Sequence, residues 1–142
     1  LDAEETQDAD LQANALIDLG LDVLLEVSNG DMIGALAMAK GRGRWGIGSD
    51  VHRYEVAGEA RDILLASIVK RLDNAAYSFL EQWTRGESGT ATALVGRLAN
   101  GGVALAPYHD TEKQVPASLK AEIAGLQQAI LEGGLDTGWQ AP

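Results

Sequence analysis

Short apolar runs closed by glycine alternate along this chain with stretches of helical period, and that alternation leaves few architectures open. From Glu4 to Leu19 the apolar positions Leu11, Ala15, Leu16 and Leu19 recur at helical spacing, and Gly20 follows as a stop. Asp22 to Val27 is a brief apolar run between Gly20 and Ser28-Asn29-Gly30, which predicts a buried strand. Met32 to Lys40 repeats the helical period, and Arg44 to Ser49 reads as a second strand ending at Asp50. Between Glu59 and Arg85 one stripe of period 3.6 predicts a single long helix. Its marks are Leu65, Ile68, Val69, Leu72, Ala76, Phe79, Leu80 and Trp83, and Gly86 closes it. Ala91 to Val95 and Gly102 to Ala106 read as strands; Pro116 opens a last helix that runs through Leu131 to Gly133-Gly134. The order α-β-α-β-α-β-β-α predicts an α/β fold, a parallel sheet with flanking helices and right-handed crossovers.

The bulk chemistry narrows the function classes. At 142 residues the chain is long enough for one domain with a real core, since chains of this size bury roughly 68–70% of their unfolded surface. It is 46% hydrophobic with a formal net charge of −10, so it lacks the Lys/Arg surface that nucleic acids and anionic membranes require. Zero cysteines exclude disulfides, thiolate metal sites and cysteine nucleophiles. No run approaches the ~18–20 apolar residues of a membrane span. The chain opens on LDAEETQDADLQ, without Met and already helical, which points to a piece of a longer protein.

Gly41, Gly43 and Gly46 spell G-x-G-x-x-G, the spacing of dinucleotide-binding turns. Those turns lead from a strand into a helix, so that the pyrophosphate meets a helix N-terminus. Here the order is reversed: a helix ends near Lys40 and a strand follows. A phosphate would face the wrong end of the dipole, and the stretch reads as a helix-to-strand loop.

Asp50 is a stronger candidate, because it ends a predicted parallel strand, and open α/β sheets bind ligands at the carboxyl ends of their strands. Ser28-Asn29-Gly30 follows the preceding strand at the same edge, where a glycine lets backbone N–H groups approach a ligand. Position alone leaves two readings of Asp50 open, a ligand residue or the cap of a turn or helix.

Taken together, Gly20-Leu21-Asp22-Val23-Leu24, Gly30-x-x-x-Gly34, Ile47-Gly48-Ser49-Asp50 and Leu65-Ala66-Ser67-Ile68-Val69-Lys70-Arg71 form an ordered series. The series resembles the C-terminal half of the basic membrane protein family, substrate-binding lipoproteins of ABC transporters that include purine-nucleoside receptors. Leu98-x-x-Gly101-Gly102-Val103-Ala104-Leu105, Val115-Pro116 and the closing Ile130-x-x-Gly133 helix extend it over nearly the whole chain. The resemblance implies part of a type I periplasmic-binding fold, in which two α/β lobes clamp a ligand. Residues 1–90 would be the later part of the C-terminal lobe, and residues 91–142 the crossover strands and final helix. The other half, or a second chain, would carry the signal sequence, the lipid-anchoring cysteine and most of the base-reading residues.

The resemblance also implies a ligand set. The positions matching Asp50 and Lys70 contact ribose in nucleoside receptors, with loop glycines matching Gly30 or Gly34 and Asn29 beside them. A carboxylate can accept hydrogen bonds from two vicinal hydroxyls, and an ammonium can donate to the same oxygens. Asp50 would also partner Lys70 in the empty site. Without the resemblance, Lys70 reads as a snorkelling lysine on an amphipathic helix. The chain departs from the family pattern where Asp50 is followed by Val51-His52-Arg53, and where Ser28-Asn29-Gly30-Asp31 stands in the glycine loop.

The remaining candidates favour plainer readings. His52 and His109, the two histidines, read as polar surface with no third ligand at a fitting spacing, so no metal site is expected. Asp2, Glu4, Glu5, Asp8 and Asp10 lack the glycine-centred loop of a calcium site and read as a solvated helix face. Trp45, Trp83 and Trp139 could stack a base, but Trp83 falls on the apolar stripe and is expected in the core, and Trp139 has no assigned place. The function that the resemblance implies is non-enzymatic and cofactor-free: an extracytoplasmic solute-binding component that delivers a nucleoside or similar polar solute to an ABC permease. A ligand-sensing regulator of the same fold is the alternative.

Overall fold

A computed structural model describes residues 3–27, 33–87 and 94–138, with side chains from residue 10 onward. Met32, Trp139 and the loop residues Asn29 and Gly30 lie outside the described residues, as do 91–93 of the strand expected at Ala91 to Val95; Leu94 and Val95 belong to no regular element. The chain forms two compact units, Leu1–Lys70 with Ala104–Gln114, and Arg71–Val103 with Val115–Pro142.

The first unit begins with α1 (Ala3–Asp18) and β1 (Val23–Leu25). Between them Gly20 takes a φ of 96°, which an L side chain resists, and this lets Leu21 N–H bond back to the Leu16 carbonyl. Then follow α2 (Ile33–Gly41) and β2 (Trp45–Asp50). Ala13 and Ile17, four apart on α1, pack with Ala35 and Ala39 of α2 and Leu24 of β1 in one buried cluster. Small side chains at the helix contact let the backbones approach closely. Gly34 in the first turn of α2 belongs to the same contact: a Cβ there would stand 2.7 Å from Asp10 Oδ1. The Asp10 carboxylate thus occupies the positive end of the α2 dipole.

Gly41 ends α2, and Gly43 sits in the loop before β2, so the G-x-G-x-x-G context is helix-to-strand, as its position in the sequence indicates. Arg42 and Arg44 N–H groups bond the last carbonyls of α2. This end of the helix attracts cations rather than phosphates.

The one long helix expected between Glu59 and Arg85 is three elements instead. After the single turn α3 (Arg53–Val56), a 3₁₀ segment covers Gly58–Ile63, β3 is Leu64–Lys70 and α4 is Leu72–Thr84. Leu64-Leu65-Ala66-Ser67-Ile68-Val69 is nearly all apolar, so it satisfies a helical stripe and a buried strand equally well. Tertiary pairing decides between them: β3 lies parallel to β2, from Gly46↔Leu64 to Asp50↔Val69, with a bulge between Gly46 and Ile47. Lys70 therefore stands at a strand end and not on a helix. Its backbone direction is set by the sheet.

The sheet order is β1-β2-β3-β4, with β4 at Val103–Leu105. Its first three strands are parallel. The Ala106 N–H bonds the Ser67 carbonyl and the Arg71 N–H bonds the Gly102 carbonyl, so β4 runs antiparallel to β3 at the edge. Such an edge strand on an otherwise parallel sheet is a common variant.

In the second unit, α4 ends as the glycine signal requires: Gly86 has a φ of 76° and Glu87 N–H bonds the Gln82 carbonyl. Pro116 caps α5 (Ala117–Leu131). Neither helix has a buried residue among those described. Trp83, expected in the core, is 61% exposed, and Leu72, Tyr77 and Leu80 are exposed beside it. At the start of α4, Arg71 donates to both oxygens of Asp73 and holds its carboxyl at about 2, below the ordinary 3.8. Arg71→Gln should return the Asp73 titration to the ordinary range, read by carboxyl carbon NMR. Because the folded-state value is depressed, the pair stabilises the chain above the ordinary carboxylate range and loses that contribution as pH falls toward 2.

Candidate functional site

Asp50 ends β2 in a conformation few non-glycine residues adopt. Its φ is 68°, and Val51 N–H bonds the Ser49 carbonyl at 2.8 Å, which makes Asp50 the centre of a positive-φ γ-turn. Residues held in such strained geometry persist only where the surroundings over-determine them, and they concentrate at ligand sites and switches. The turn aims the carboxylate across to the next strand. Lys70 Nζ lies 2.6 Å from Asp50 Oδ1, with the side chains 63% and 37% exposed. A pair this exposed contributes at most about 1 kcal/mol to stability. It presents instead a carboxylate and an ammonium side by side at the carboxyl edge of two parallel strands.

What holds this turn is a pair of residues that the reading of the sequence passed over. Glu26, just beyond β1, is 0% exposed, and Arg53, opening α3, is 7% exposed. Arg53 Nη2 donates to Glu26 Oε1 at 2.9 Å and to the Ser49 carbonyl at 3.4 Å, while its backbone N–H donates to Ser67 Oγ at 3.2 Å. One residue thus ties the Asp50 turn to β1 and to β3. Gly48 makes room for it: a Cβ there would come 2.4 Å from Arg53 Cβ. A signal for Glu26 existed, because period two puts it on the same face as buried Leu24, and a carboxylate there needs a cation. The identity of that cation, 27 residues away, had no local mark. Ser49 Oγ and Arg53 Nε are buried without a hydrogen-bond partner among the described residues.

Beyond Arg53 the chain brings its two histidines together. His52 Nε2 and His109 Nε2 are 2.8 Å apart, although 57 residues separate them. His52 Nδ1 stands 3.3 Å from Glu55, and the His109 ring stacks on Tyr54 at 4.0 Å. Tyr54 in turn donates to Asp110 Oδ2 at 2.9 Å; this bond to a carboxylate raises the phenol above its ordinary 10.0. Buried Thr111 secures the segment by donating to the Leu64 carbonyl of β3. Among the described residues no third His, Asp or Glu completes a metal-binding group. No helix among them is long and apolar enough to cross a membrane.

Of the five ligand candidates, the structure therefore pairs Asp50 with Lys70, places Gly34 inside α2 against Asp10, and leaves Asn29 and Gly30 outside the described residues.

The sheet of β1 to β4 with its flanking helices, and a polar pair at the carboxyl edge of its strands, is an open α/β architecture. With a TM-score of 0.70 and 24% identity, the chain is similar to an ABC transporter solute-binding protein from Conexibacter woesei, over 96% of this chain and 42% of that one. It is also similar, with a TM-score of 0.74 and 19% identity, to a transcriptional activator of the comK gene from Bacillus halodurans, over 92% of this chain and 44% of that one. The fold is that of solute-binding proteins, and the chain spans less than half the length of these structures. No protein-family model and no curated sequence matches the chain.

Proposed function

We propose that this chain is part of the solute-binding component of an ABC importer, and that it grips a nucleoside or similar small polar solute through Asp50 and Lys70. The observation that carries this reading is their ion pair at 2.6 Å, set at the ends of adjacent parallel strands by a strained turn. A ribose could insert its vicinal hydroxyls between the two charges, accepting from Lys70 and donating to Asp50. The resemblance to the basic membrane protein family and the likeness to a solute-binding protein both support the reading. On this reading the protein is not an enzyme. It works in the periplasm or at the cell surface, anchored as a lipoprotein, and closes around its ligand by a hinge between two lobes. The second lobe comes from further polypeptide or a second chain, and the closed form is what the permease recognises.

The test is isothermal titration of the purified protein with ribonucleosides, 2′-deoxyribonucleosides, free bases and ribose. Ribonucleosides should bind, deoxyribonucleosides more weakly. Asp50→Ala should weaken binding by about 10- to 150-fold, the equivalent of losing one charge-assisted hydrogen bond of about 1.5–3 kcal/mol. Failure of every nucleoside to bind, or unchanged affinity in Asp50→Ala, would remove the proposal.

The second reading, a ligand-sensing regulator of the same fold, is favoured by the likeness to a transcriptional activator. Deletion separates the two: loss of solute uptake with unchanged transcription supports the importer, and the converse supports the regulator.

A further inference from the structure

We propose that His52 and His109 form a two-histidine site for a divalent transition cation of the zinc class. The two Nε2 atoms face each other at 2.8 Å, so one must donate a proton and the other accept. Glu55, 3.3 Å from His52 Nδ1, favours the tautomer with the proton on Nδ1. The lone pair of His52 then lies on Nε2, and His109 is the donor. This leaves His52 prepared as a metal ligand, with a carboxylate behind it in the arrangement that orients and strengthens zinc-bound imidazoles.

His109 is fixed with comparable care. Its backbone φ is 47°, the only positive non-glycine value besides Asp50 among the described residues. Its ring lies within 13° of parallel to Tyr54, and Tyr54 is itself held by Asp110 and covered by Arg61 at 5.7 Å. Strained backbone and a stacked ring together hold a nitrogen against His52 that a solvent-facing histidine would not need.

Two Zn–N bonds of about 2.0–2.1 Å at a tetrahedral angle separate the nitrogens by roughly 3.3 Å, so the rings must part by about half an ångström and turn until both lone pairs meet at the cation. On binding, the cation takes the lone pair of each Nε2. The His109 proton moves from Nε2 to Nδ1 by exchange with water, so at neutral pH no net proton is released. Imidazole ligands suit zinc, copper and nickel over calcium or magnesium. With two protein ligands, water fills the remaining positions. The net charge of −10 favours approach of a cation.

The full chain, prepared without a polyhistidine tag, is titrated with Zn2+ by thermal shift and with Co2+ by visible absorption. One-to-one saturable binding is expected, with a rise in melting temperature and tighter binding at pH 7.5 than at pH 5.5, since protons compete for the ligands. Glu55→Gln should weaken binding by about tenfold, and His52→Gln by more. The melting temperature of His52→Gln without metal reports folding separately from binding. No metal-dependent shift in the unmodified chain overturns the proposal; so does a folded His52→Gln that keeps its affinity.

Discussion

Replacing Arg53 with methionine should cost about 3–5 kcal/mol of unfolding free energy, because it leaves the Glu26 carboxylate buried without its cation. Glu26 is wholly inaccessible and Arg53 nearly so, and the bond between them is 2.9 Å. The Glu26→Met, Arg53→Met double variant should recover most of the loss, since apolar side chains of similar volume often replace a buried ion pair without penalty. Urea unfolding of the two single variants and the double variant measures the coupling directly. A single-variant loss under about 1 kcal/mol would mean that the pair is not desolvated in solution. The Arg53 side chain also holds the Ser49 carbonyl, so the same substitution loosens the turn that aims Asp50. Stability and ligand affinity should therefore fall together in Arg53→Met. In Asp50→Ala, affinity should fall while stability changes by no more than about 1 kcal/mol.

Leu36→Ala should cost about 2–5 kcal/mol, the range for emptying a fully buried leucine site. Leu36 has no exposed surface and packs with Ala57, Ala60 and Leu64, where α2 crosses the sheet. It sits directly over Gly46 of β2: a Cβ on Gly46 would come 2.6 Å from Leu36 Cδ2. That contact makes a second measurement decisive. Gly46→Ala alone overpacks the core and should destabilise by about 1–3 kcal/mol. Combined with Leu36→Ala it should restore part of the lost stability, because the new methyl enters the space the leucine vacated. Additive losses in the double variant would show that Leu36 and Gly46 are not in contact.

The elements that could be read from the sequence are those with local punctuation. Gly20 ends α1, Gly86 ends α4, and Pro116 opens α5; each signal acts on its own backbone and needs no partner. The G-x-G-x-x-G stretch is legible as a helix-to-strand loop from the same kind of local order, helix before strand. Asp50 was legible too, because the end of an apolar run is a position in the sequence as well as in the sheet.

The tertiary structure decided everything that depends on a distant partner. Residues 64–70 carry a pattern that fits helix and strand alike, and the hydrogen bonds offered by β2 make them a strand. That choice moved Lys70 from a helix surface to a strand end beside Asp50. The Glu26–Arg53 pair and the facing histidines have the same origin, since their members are 27 and 57 residues apart. Local sequence determines where a helix stops and which face of a strand is apolar, because those are properties of neighbouring residues. Which charge meets which countercharge is set by strand order and register, and these exist only once the sheet has formed.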